Sequence, residues 1–220
     1  MRSSWRLVAR AVALATVVAA IGTATLGSAP RSVAAQGTGD ATATRIQLFV
    51  PFGPDGLAPG IEVRGRETFQ GNPAVAGGSC QTGSILTARP DAWRCGTADP
   101  CFQDLGGHEP ALACAVTPWS DRVELLTVAA PLPENERRQF DPSTTPPWAM
   151  ELANGVQCVK GGGTATIIQG VGFPYSCQGP NGFSHAGPPD RNAALWTVQQ
   201  AASDGQTILP DAADVLVAWY

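Results

Sequence analysis

Trp148-Ala149-Met150-Glu151-Leu152-Ala153-Asn154-Gly155-Val156-Gln157-Cys158-Val159 is the stretch that decides the fold. Trp148, Met150 and Leu152 alternate with Ala149, Glu151 and Ala153, the period-2 pattern of a half-buried strand. Asn154-Gly155 then supplies two residues that tolerate positive φ, as a hairpin turn requires. Val156 to Val159 returns as the second strand. The same theme extends in both directions. Thr164–Ile168 and Phe173–Cys177 read as a pair around Gly170, and Leu195–Val198 and Val215–Tyr220 read as closing strands.

Upstream, Arg45–Phe52 reads as a strand stopped by Gly53-Pro54-Asp55-Gly56, with Ile46, Val50 and either Leu48 or Phe49 on one face. Gly60–Arg64 and Ser84–Leu86 read as short strands, and Asp121–Ala129 as a longer one. Pro90 and Asp91 predict a short helical turn over Thr87–Arg94, and Cys95–Cys114 reads as irregular. With 25 Gly and 19 Pro in 220 residues, long helices are disfavoured throughout. The fold class expected is all-β: short, mainly antiparallel strands, rich in loops and held by disulfides.

The one helix expected belongs to a signal peptide, 1–35. Arg2, Arg6 and Arg10 precede twelve uncharged residues, Ala11–Gly22, and Val33-Ala34-Ala35 fits a small-residue cleavage rule. That apolar run is shorter than the roughly 20 residues a membrane span needs. Cleavage after Ala35 removes four arginines and no acid, so the full chain's net charge of −4 becomes −8 in the exported part. So acidic a chain does not suit nucleic acid or anionic lipid, and stable membrane insertion after cleavage is not expected. The localisation implied is secreted. Beyond the signal, the sequence divides into a flexible leader (36–43), a four-cysteine β subdomain (44–131), a Pro-rich, charged and solvated linker (132–147), and a two-cysteine β subdomain (148–220).

Cys80, Cys95, Cys101, Cys114, Cys158 and Cys177 are an even set in an exported chain, hence a disulfide framework. Short loops close most readily, which favours Cys80–Cys95, Cys101–Cys114 and Cys158–Cys177. No Cys-x-x-Cys is present, and neither His108 nor His185 lies at finger-like spacing from a cysteine, so no metal or other cofactor is expected.

Hydrolase-elbow, metalloprotease and phosphate-loop motifs are absent, and no catalytic residue is assigned. Arg89, Asp91 and Arg94 beside Trp93 form a charged loop next to a cysteine, the candidate binding site. Asp91 also has an ordinary structural reading, as a turn cap paired with an arginine. Trp148, Trp196 and Trp219 read as core, and Trp93 and Trp119 as packed on disulfides. The leading functional expectation is a non-catalytic binding or envelope-associated protein with an extracellular ligand or envelope partner. The alternative is a small secreted polysaccharide hydrolase using two carboxylates, with Asp91, Glu124 and Glu151 as candidates.

Three segments carry a resemblance: Gly78-Ser79-Cys80-Gln81-Thr82-Gly83-Ser84, Arg89-Pro90-Asp91-Ala92-Trp93-Arg94-Cys95 and Asp99-Pro100-Cys101-Phe102. The chain resembles a group of uncharacterised secreted bacterial proteins from high-GC organisms that carry G-S-C-W-T-G-S, R-P-D-A-W-R-C and D-P-C-F. The segments Trp148–Cys158 and Tyr175–Cys177 are similar to that group as well, so the resemblance spans most of Thr44–Tyr220. It departs at Gln81, where a tryptophan is expected. The resemblance implies export and disulfides, and brings no activity with it.

Overall fold

A computed structural model describes residues 41–69, 80–107, 111–128, 131–135 and 140–220. The signal peptide, most of the leader and His108 lie outside these. Among the described residues every regular element is a strand. Before the proline-rich stretch come β1 (Arg45–Gln47), β2 (Phe52–Gly53), β3 (Gly56–Leu57), β4 (Glu62–Phe69), β5 (Cys80–Gly83), β6 (Ala92–Cys95), β7 (Ala98–Gln103), β8 (Ala111–Cys114) and β9 (Arg122–Val128). After it come β10 (Ala149–Leu152), β11 (Gln157–Lys160), β12 (Thr166–Ile168), β13 (Val171–Phe173), β14 (Tyr175–Gly179), β15 (Gly182–Ala186), β16 (Trp196–Val198), β17 (Gln200–Ala202) and β18 (Ala213–Trp219).

Two sheets account for most of these strands. The first runs β4-β9-β8-β7-β6-β5, an antiparallel meander with β4 added in parallel on β9. The second runs β1-β18-β10-β11-β14-β15-β17, with β16 also paired to β18. The expected Asn154-Gly155 hairpin joins β10 to β11, and Gly155 adopts φ 76°. Only a residue without a Cβ enters that region at no steric cost.

All three expected disulfides are formed, and each joins residues directly opposite one another on neighbouring antiparallel strands. Cys80–Cys95 ties β5 to β6, Cys101–Cys114 ties β7 to β8, and Cys158–Cys177 ties β11 to β14. Disulfides of this kind persist in oxidising compartments, and the bonded set is consistent with an exported protein. Among the described residues no helix is long and apolar enough to cross a membrane.

Several local expectations are corrected. Thr87–Arg94 holds no helical turn: Pro90-Asp91 make a tight turn, closed by Ala92 N–H donating to the Arg89 carbonyl at 3.2 Å, and the chain passes directly into β6. Strand pairing outweighs the local helix-start signal here, because Cys95 must lie opposite Cys80. Cys95–Cys114 contains β7 and β8; all four residues of β8 are buried, so no polar alternation marks it. Ser84–Leu86 is a bend: the Ser84 hydroxyl accepts from the Leu86 and Thr87 amides, both at 3.1 Å. Ile46, Leu48 and Val50 share one side as expected but face solvent, while Phe49 enters the core and Phe52 packs half-buried against it.

The proposed division at 132–147 joins two sheets that share a core. Phe49, Phe102 and Trp148 meet with ring centroids 5.2–5.7 Å apart, alongside Leu86, Ala92, Ala113, Ala115 and Val123. Moreover β1, first in the chain, belongs to the second sheet through its pairing with β18. Trp148 is core as expected. Trp196 is half-buried beneath the Arg191 guanidinium, 4.6 Å from its ring, and Trp219 is half-buried with its indole donating to Glu151 at 2.8 Å.

The stretch 140–147 is pinned to the core, although Asp141, Ser143, Thr144 and Pro146 remain exposed. Tyr220 Oη donates to the carbonyls of Pro142 (2.9 Å) and Thr145 (3.1 Å), and Tyr175 Oη to that of Pro147 (2.8 Å). Arg191 donates to the carbonyls of Pro142, Ser143 and Thr145. Burial pushes the Tyr175 phenol far above its ordinary range and the Tyr220 phenol up to about 12. A folded-state pKa raised in this way stabilises the protein fully below the unfolded value near 10, and that stability is lost as pH rises towards 12. In that window Tyr220 alone contributes a loss of about 1.4 kcal/mol per pH unit. The urea midpoint should therefore be flat up to about pH 9, fall from 10 to 12, and fall less steeply in Tyr220→Phe. A flat profile through pH 12 would contradict this assignment.

Candidate functional site

The Arg89–Arg94 turn does not form one surface. Arg89 is only 7% exposed, and its guanidinium is spent internally. Nε donates to Asp91 at 2.9 Å, Nη2 pairs with the second Asp91 oxygen, and Nη1 donates to the carbonyls of Phe49 and Tyr220. The guanidinium also lies 4.8 Å above the Phe102 ring. Asp91 therefore pairs with an arginine, the structural role noted for it above. Trp93 is buried among Cys80, Cys95, Cys101 and Cys114, and its indole N–H donates to Gln103 Oε1 at 3.2 Å. Arg94 is exposed, and alternation along β6 sends it to the face opposite Trp93. Arg89, with Asp91 paired to it, packs on Phe102 of the aromatic cluster, Trp93 lies in the cysteine cluster, and Arg94 is exposed, so the four residues share no common face.

The concavity beside that turn uses Trp93 in another way. A groove of about 460 Å³ is lined by Pro90, Trp93, Gln103, Ala111, Val128 and the segment Pro131–Asn135. The segment is fastened to the turn by Asn135, whose Nδ2 donates to the Pro90 carbonyl at 2.9 Å and the Ala92 carbonyl at 3.3 Å. Gly83 makes this close approach possible, since a Cβ there would lie 2.7 Å from Asn135 Oδ1. Aliphatic and proline surface forms most of the walls. Gln103, at the groove wall, accepts from Trp93 through its oxygen, and its amide nitrogen carries two further donors. Sequence reasoning placed Leu132–Asn135 in a linker and missed this wall. The available signal was Pro131-Leu132-Pro133, an apolar side chain held between two rigid residues.

The remaining candidates have other partners or lie elsewhere. Glu151 accepts from Trp219, and Glu124 is exposed on β9 of the first sheet. Asp211 and Asp214, both exposed, line a second groove of about 450 Å³ with Asn154 and Gln200, which bond to each other at 2.8 Å. His185 packs edge-on against Phe183, with centroids 4.9 Å apart. Among the described residues no group of three or more His, Cys, Asp or Glu is placed to hold a metal ion. No family model, no curated protein and no solved structure matches the chain.

Proposed function

We propose that this is an exported, non-catalytic binding protein that receives an apolar group of its ligand in the Trp93–Leu132 groove. The observation that supports this reading is the groove itself. Its volume and mainly aliphatic lining, with few polar groups, are those of ligand sites in general. The Gln103 amide at its wall supplies a donor for a polar end of the ligand. The disulfides fix the strands beneath it, so the site is formed before the ligand arrives and little ordering entropy opposes binding.

A fragment library screened by NMR against the oxidised protein tests the reading. Fragments with an aliphatic or aromatic body should shift the Trp93 indole N–H and the Gln103 side-chain amide. Leu132→Glu places a carboxylate in the apolar wall and should weaken those fragments by about tenfold or more, with the Cys158–Cys177 sheet unperturbed. Fragments that bind without moving either reporter, or that ignore Leu132→Glu, would place the site elsewhere.

A further inference from the structure

β1 leaves a strand edge open. Tyr220 N–H donates to the Gln47 carbonyl at 2.9 Å, and Phe49 N–H donates to the Tyr220 carbonyl at 2.8 Å, so the ladder with β18 continues past Gln47 to Phe49. A residue's N–H and C=O point to the same side of an extended strand. Those of Gln47 and Phe49 face β18, and those of Ile46, Leu48 and Val50 therefore face away from it. Among the described residues these three have no main-chain partner. Their side chains are 41%, 47% and 55% exposed and lie in line at i, i+2 and i+4.

Among the described residues, the other outer edges of the two large sheets are protected. The outer side of β17 is covered by residues 207–209, through Ala202 N–H to the Thr207 carbonyl and Leu209 N–H to the Gln200 carbonyl. β4 carries exposed Glu62, Arg64 and Arg66, the charged type of edge that discourages pairing. Asn135 sits against Gly83 at the end of β5. On β1 the only charge is Arg45, at its start.

We infer that the Arg45–Val50 edge is a self-pairing surface, on which a second copy of this chain adds antiparallel to make one continuous sheet. The pattern matches itself about Leu48. With Leu48 opposite Leu48 of the second copy, Ile46 lies opposite Val50 in both directions, and all six aliphatic side chains share one face. The outward amides and carbonyls of these residues form the reciprocal bonds of an antiparallel ladder. Arg45 falls opposite Pro51 of the other copy, so no like charges are opposed. The contact is small, and association at about 10–100 μM is expected.

Sedimentation velocity of the oxidised protein across this range should show a reversible monomer–dimer equilibrium. Leu48→Lys should weaken it by about tenfold or more, with disulfide map and far-UV spectrum unchanged. Leu48→Cys offers a second readout. A hydrogen-bonded antiparallel pair holds its Cα atoms about 5.5 Å apart, within disulfide reach, so this variant should cross-link to itself on oxidation. Ile167→Cys, exposed on the β12–β13 hairpin, should not. A protein that stays monomeric throughout, or a dimer untouched by Leu48→Lys, would overturn the inference.

Discussion

Arg89→Met is expected to lower the unfolding free energy by about 3–5 kcal/mol. Three parts of the chain meet at this guanidinium: the turn at Asp91, the end of the first strand at Phe49, and the end of the last strand at Tyr220. Methionine keeps the aliphatic stem but leaves the Asp91 carboxylate, itself only 15% exposed, without its counter-charge. It also removes the donor to two carbonyls, and a buried group stripped of its partner costs more than the bond was worth. Arg89→Lys should recover little, because an ammonium cannot span Asp91 and two carbonyls at once. Removing both charges in Arg89→Met with Asp91→Leu should cost less than the two single changes summed. Urea unfolding at pH 7 measures all four variants. A loss below about 1 kcal/mol in Arg89→Met would return Arg89 to the surface role its sequence context suggests.

The second large effect concerns the disulfides. Replacing Cys158 and Cys177 by alanine releases a loop of sequence separation 19 and should cost about 3 kcal/mol. The effect acts on the unfolded chain: β11 and β14 remain bonded along four residue pairs without the sulfurs. The loops closed by the other two bridges, of separation 15 and 13, are of similar worth. Full reduction therefore removes about 9 kcal/mol, comparable to the whole stability of an ordinary domain, and should unfold the protein at room temperature. Circular dichroism before and after reduction with alkylation decides this. A native spectrum with an unchanged urea midpoint would show that the paired sheets suffice alone.

How much of this was legible depended on whether the deciding contact was local. The Asn154-Gly155 hairpin was legible because positive φ restricts the residue type at the turn. The disulfides were legible because they pair in chain order, first with second, third with fourth and fifth with sixth. β7 and β8 were not: two-sided burial removes the alternation, and Ala, Cys and Pro carry little strand signal. Nor was the placing of β1, because its partner lies about 170 residues away and nothing in Arg45–Phe52 names β18. At the candidate site, Trp93 was found but Arg89 was misjudged, since a charged side chain is seldom so deeply buried. The Pro131–Asn135 wall was hidden by a composition that suits a linker equally well.

The pairing of cysteines in chain order also bears on how the protein is made. Cys80–Cys95, Cys101–Cys114 and Cys158–Cys177 follow one another without interleaving. A polypeptide threaded N-terminus first into an oxidant presents each cysteine's correct mate before any later competitor emerges. Joining thiols strictly in order of arrival gives the native set, and no wrong bond has to be undone. Oxidation in that order would need an oxidant but no disulfide shuffling.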